Sequence, residues 1–238
     1  MNHFEGKSVI EHLKAARAKG ALAAAEIHGA ETPGYLSAGA DAAKESAVVL
    51  LLAWILFSPQ PTLFFLLMLG MLLWKAGRSA LLGWARLERL HRLIEEERWE
   101  IEHNRSQEKE ELTALYHAKG LTGKLLEETI TVLMADDNRL LKVMLEEEMG
   151  LALEAYEHPL KQSFGAASGV IFSSLLFTGG YYLFSQGPLV AALVVVTLSS
   201  LLIAHIEQSR RIEALIWNLA VALFAAGTVY LFKQLIFI

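Results

Sequence analysis

Glu97 and Glu100 stand three residues apart, Glu108 and Glu111 repeat that spacing, and Met144 precedes Glu148 by four. On a helix, spacings of three and four put side chains on one face. Three helices turning those faces to a common centre would assemble five carboxylates and a thioether. Packed carboxylates repel, and they raise one another's proton affinity unless cations neutralise them. The chemistry on offer is therefore the capture of divalent cations. Carboxylates alone suit Mg²⁺, Ca²⁺ or Mn²⁺, and a soft thioether moves the preference toward transition metals. Fe²⁺ fits this donor set, and so do Mn²⁺, Co²⁺ and Zn²⁺. The plain alternative is a solvated acidic face, because glutamate is a good helix former. Glu88-x-x-His91 and Glu100-x-x-His103 have the spacing of half a ferritin-like di-iron site. Both pairs fall on one expected helix, and no other helix supplies a partner pair. Without cysteine there is no thiolate ligand or nucleophile, and no constellation points to an enzyme.

The elements that carry these residues lie in an acidic block. Residues 85–158 hold 18 of the 26 acidic side chains and 10 of the 21 lysines and arginines, a net charge of −8, against +3 for the rest. The block reads as helix throughout. A first helix runs through Arg86–Glu102 with nothing to break it before His103-Asn104. A second spans about Ser106 to Lys119 and stops at Gly120. Thr122 can cap a third, and Asp137 or Asn138 a fourth that reaches about Tyr156 before Pro159. No strand pattern is visible.

On either side the chain is apolar. The 238 residues are 54% hydrophobic, with a mean hydropathy of +0.37, too apolar for an ordinary soluble domain. Residues 163–184, 188–204 and 214–232 carry no charge, and each approaches the ~20 residues that cross a bilayer. Ser46–Phe57 and Pro61–Trp74 are short. The first extends back through Tyr35–Glu45, taking in Asp41, Lys44 and Glu45, and the second extends past Lys75 and Arg78 to Trp84. Both are read as spans, joined by the Ser58–Thr62 turn, with Lys75 expected to pair with Asp41 because charges within a bilayer need partners. Residues 1–32 read as an amphipathic helix on the membrane surface, with Val9, Leu13 and Ala16 on one face, ended by Pro33-Gly34.

The expected fold is all-α: a polytopic membrane protein of about five transmembrane helices, with a helical domain inserted between spans two and three. Its parts are the helix of residues 1–32, spans one and two in 35–84, the acidic domain 85–158, and spans three to five in 159–238. Lys7, Lys14, Arg17 and Lys19, then Arg86, Arg89 and Arg92, then Arg210 and Arg211 all flank one side of that arrangement, with Lys233 the exception. The positive-inside rule then makes the amino terminus and the acidic domain cytoplasmic, in a bacterial inner membrane or an organelle membrane. Gly165, Gly169, Gly179 and Gly180 are expected to let helices pack closely. A formal net charge of −5 argues against a nucleic-acid partner.

The acidic block also resembles the cytoplasmic metal-binding domain of the vacuolar iron transporter family. The resemblance lies in RLIEEERWEIEH, EKEELTALYHAKGL, KVMLEEEMGL and the His-Pro pair before a span. The family pattern is Glu-x-x-Glu twice, then Met-Met followed by Glu before Gly-Leu. Glu97, Glu100, Glu108, Glu111, Met144 and Glu148 match it, and Leu145 stands at the second methionine. The resemblance implies a homodimer that moves Fe²⁺ out of the cytosol in exchange for protons. In the membrane half, Asp41 matches a family aspartate in span one. Lys75 stands where the family has a methionine in span two, an apolar residue replaces the family's acid, and Met68 and Met71 lie one to two turns away. The implied pathway residues are thus Asp41, Met71 and Lys75. A fixed cation there would repel a cationic substrate.

The first functional reading is a proton-coupled divalent-metal exporter, for Fe²⁺ or Mn²⁺. The second is a membrane-anchored metal sensor or buffer that does not transport. The third is a membrane protein whose acidic helices bind a partner and no metal.

Overall fold

The computed structural model describes residues 8–24, 34–57, 60–151, 158–207 and 209–236. Every regular element among them is helical. Pro33, the Ser58-Pro59 part of the expected turn, and the stretch approaching Tyr156 lie outside the described residues. The chain forms two compact units, one of Met1–Gly29 with Trp84–Tyr156 and one of Ala30–Gly83 with Glu157–Ile238.

The acidic unit is built from α1 (Val9–Ala24), the last part of α3 (Pro61–His103), α4 (Arg105–Ala118), α5 (Gly123–Met134), α6 (Asp137–Val143) and a π-helical turn (Met144–Glu148). As the sequence predicts, α3 continues unbroken to His103. Each boundary in the unit has a local cause. Ser8 and Glu11 form a capping box: Ser8 N–H donates to Glu11 Oε2 at 3.0 Å, and Glu11 N–H donates to Ser8 Oγ at 3.4 Å. Gly120, at φ +96°, ends α4 while Leu121 N–H donates to Tyr116 O at 3.2 Å. Thr122 occupies the N-cap position of α5. The cap of α6 is Asp136, one residue before the expected Asp137, and its Oδ1 accepts from Arg139 N–H at 2.8 Å.

The fourth acidic helix differs from the expectation that it runs on toward Tyr156. It widens after Val143 into the π-turn, in which Met149 N–H donates to Met144 O at 3.3 Å, and Gly150 at φ +70° turns the chain out. The core here joins Ala16, Leu90, Leu93, Ile101, Leu112, Ile130, Leu140, Met144 and Leu145. Val9, Leu13 and Ala16 do share the covered face of α1. That face, assigned from sequence to a membrane surface, meets α4 and the π-turn.

The membrane unit comprises α2 (Tyr35–Phe57), the first part of α3, α7 (Pro159–Leu183), α8 (Gly187–Ile206) and α9 (Arg211–Ile236). Among the described residues, four helices are long and apolar enough to cross a membrane: α3, α7, α8 and α9. α2 has 23 residues, and Asp41, Lys44 and Glu45 set it apart from those four. It nevertheless packs against three of them, α7, α8 and α9. Its covered face is made of small residues, including Ala38, Ala42, Ala43, Ser46 and Ala47. The crossing with α7 is backbone on backbone: a Cβ added at Gly169 would lie 1.9 Å from Gly39 O, and one at Gly165 would lie 2.1 Å from Tyr35 O. Gly180 and Gly187 do the same for α7 and α8, at 1.8 Å from a Cβ on Gly187 to Gly180 O, whereas Gly179 faces open space. Large apolar side chains point outward, among them Leu73, Leu175, Trp217 and Phe224, the face a bilayer would cover.

Candidate functional site

α3 presents Glu97 and Glu100 one turn apart, α4 presents Glu108 and Glu111, and the π-turn presents Met144 and Glu148. The structure brings all six into one unit. Glu97, Glu108, Glu111, Met144 and Glu148 are buried, Glu108 completely, while Glu100 is half-buried. Buried carboxylates are rare because desolvation is costly, so four in one small helical unit cannot be a solvated face.

Electrostatics shows that the carboxyl groups converge. Burial, then the charges of Glu148 and Glu100, pushes Glu108 from its ordinary 4.5 up to about 8, with a hydrogen bond to Glu97 working the other way. Burial, then the charges of Glu148, Glu108, Glu97 and Glu100, pushes Glu111 up to about 10. Five carboxyl groups from three elements therefore lie within one another's field. At neutral pH Glu108 and Glu111 hold protons, and a divalent ion arriving among them would displace both. Met144 is buried in the same apolar core as Leu140 and Leu145.

The π-turn explains how Met144 and Glu148 both come to be buried with Leu145. With hydrogen bonds reaching five residues back, the turn is wider, so residues on either side of position 144 share the inward face. Such turns are frequent at functional sites.

Sequence reasoning missed His12. Its Nε2 lies 3.6 Å from Glu111 Oε1 and 4.0 Å from Glu148 Oε1. Donor atoms of these three residues all fall within 4.8 Å of one another. The signal was present: His12 stands three residues after Val9 and four before Ala16, on the face of α1 already read as apolar. One turn further on, Arg17 Nε donates to Glu148 O at 3.3 Å.

In the membrane unit, Asp41 pairs with Lys44 at 3.3 Å. Lys75 is 3% exposed; its ammonium meets the carboxylate of Glu45, and its charge also acts on Asp41. Glu45 lies one helical turn beyond Asp41 on α2, so the two acids share a face, and Lys44 engages Asp41 from within the same helix. Met71 is partly buried against Ala38, Ala42, Ala166 and Val170.

The VIT family is matched by residues 84–234, well over half of the 238 residues. No curated protein and no solved structure matches the chain.

Proposed function

The chain belongs to the VIT family, the vacuolar iron transporters, and from that premise we infer that it is a membrane transporter carrying a divalent transition-metal ion, Fe²⁺ or Mn²⁺, out of the cytosol in exchange for protons. The observation that carries this reading is the buried convergence of Glu97, Glu108, Glu111 and Glu148, with Glu100 at its edge. In this reading the six residues Glu97, Glu100, Glu108, Glu111, Met144 and Glu148 receive the ion on the cytoplasmic side. The donor set suits the cargo: hard oxygens for charge, one thioether for transition-metal preference. α2 joins the four apolar helices as a fifth span, and Asp41, Met71 and Lys75 mark the way through. Two copies of the chain make the working unit.

A second reading is a membrane-anchored metal buffer or sensor. It is favoured by Lys75, whose buried ammonium, held by Glu45, puts a positive charge where a cation would have to pass. Proteoliposomes loaded with a metal-sensitive dye separate the two. The transporter reading expects Fe²⁺ and Mn²⁺ uptake that rises with an opposing proton gradient and falls at least tenfold in the Glu100→Gln/Glu111→Gln double variant. Tight metal binding with no flux under any gradient would leave the buffer. Absence of metal binding by the full-length protein would defeat both.

A further inference from the structure

The donor set at the acidic centre is not confined to the acidic helices. Among the described residues, the His, Asp and Glu side chains whose donor atoms lie close enough to share an ion are His12, Glu111 and Glu148, one each from α1, α4 and the π-turn. The spacing is informative. An N–H···O hydrogen bond closes to about 2.9 Å, whereas His12 Nε2 lies 3.6 Å from Glu111 Oε1 and 4.0 Å from Glu148 Oε1. Two donors that each lie about 2.1 Å from one ion stand roughly 3–3.5 Å apart. The three atoms therefore surround a point, and small rotations would bring all of them onto an ion there.

α1 is fixed on both sides of His12. The Ser8–Glu11 capping box sets where the helix starts, and so which residue faces inward. One turn after His12, Ala16 enters the core, and Arg17 donates to the Glu148 carbonyl. That bond ties α1 to the same turn that carries a carboxylate of the trio.

We propose that His12 is a metal ligand, and that a divalent first-row transition-metal ion held by His12, Glu111 and Glu148 clasps α1 onto the acidic helices. The proposal rests on the reading that these helices hold a divalent ion. It adds a borderline nitrogen donor to a set otherwise made of carboxylates and one thioether. Imidazole suits Fe²⁺, Zn²⁺ and Ni²⁺ and does little for Mg²⁺, so His12 sharpens selection against the commonest cellular dication. It also makes α1 report occupancy: the ion tightens a docking that Ala16 and Arg17 already provide.

Pulsed electron paramagnetic resonance on the full-length protein loaded with Mn²⁺ tests the ligand directly. The wild type should show nitrogen modulation from one imidazole. The modulation should vanish in His12→Gln and persist in His117→Gln, a change to a histidine of α4 outside the trio. Hydrogen exchange supplies the second readout: Mn²⁺ should slow the amides of Val9–Arg17 by about tenfold in the wild type and by much less in His12→Gln. Competition should show the preference for Co²⁺ over Mg²⁺ falling about tenfold in His12→Gln. Bound Mn²⁺ without nitrogen modulation, or modulation unchanged in His12→Gln, would overturn the proposal and leave the carboxylate site standing. Failure of the wild type to bind Mn²⁺ at all would overturn the reading beneath it as well.

Discussion

Glu108 and Glu111 set how the acidic unit responds to pH. Their folded pKa values, about 8 and about 10, lie above the ordinary 4.5. The folded unit therefore binds more protons than the unfolded chain across that interval. Their contribution to stability is complete below about pH 4.5 and is lost as pH rises through 8 and toward 10, at about 1.4 kcal/mol per pH unit for each group. In EDTA, the melting temperature should fall steadily from pH 5.5 to 8.5. Saturating Mn²⁺ should flatten that slope, because a bound ion keeps the carboxylates ionised without repulsion. A flat profile in EDTA would refute the mutual field of these carboxyls. Calorimetry in two buffers of different ionisation enthalpy should also show about one to two protons released per ion bound at pH 7. Glu111→Gln should separate the two roles: the metal-free protein becomes more stable at pH 7, because folding no longer has to protonate a carboxyl that is ionised in the unfolded chain, while Mn²⁺ affinity drops tenfold or more. In the membrane unit, Glu45→Gln removes the carboxylate that Lys75 meets and should lower the melting temperature by several degrees. Adding Lys75→Met to it should recover most of that loss, a coupling of roughly 0.5–3 kcal/mol in a double-mutant cycle. If transport occurs, Lys75→Met alone should raise Fe²⁺ flux.

At the scale of elements, the glycine crossings make the sharpest mutational contrast. Gly169→Ala would place a methyl 1.9 Å from the Gly39 carbonyl, so α2 and α7 must part, at a cost of about 1–3 kcal/mol or more. Gly179→Ala meets nothing within 4 Å and should be neutral or stabilising by up to ~1 kcal/mol. Monodisperse yield and melting temperature in detergent would rank the two. That α7 packs closely was readable from its glycines, but which glycines do so was not: the answer depends on which face of α7 meets α2, and four unlike positions in one apolar helix do not encode that. The acidic ladder was readable because Glu97, Glu100, Glu108 and Glu111 keep helical spacing, and Gly120 and Pro159 punctuate it. The π-turn was not, since one residue of extra width leaves no mark in a run such as Met144–Glu148. Nor was the partner of α1. Amphipathicity tells that Val9, Leu13 and Ala16 want cover, and a protein core and a lipid surface satisfy that want equally.

For the whole molecule, occupancy of the acidic centre and stability are the same measurement. An ion that binds only the folded protein stabilises it by mass action, so Mn²⁺ should raise the melting temperature of the full-length protein clearly and Mg²⁺ much less. Equal shifts from the two ions would mean charge screening without a site. The membrane unit carries a different consequence, one of timing. α2 is made early in synthesis, yet it holds Asp41, Lys44 and Glu45, and the helices that pack against it, α7, α8 and α9, begin at residues 159, 187 and 211. Lys44 and then Lys75 of α3 can meet its acids, but its face of small residues stays uncovered until those later neighbours arrive. The small-residue face of α2 is thus covered late, and more than 100 residues of chain, including the entire acidic block, are translated between α2 and α7. The nascent protein is most exposed to quality-control proteases during that interval, and chains truncated before α7 should be cleared far faster than chains that end after α9.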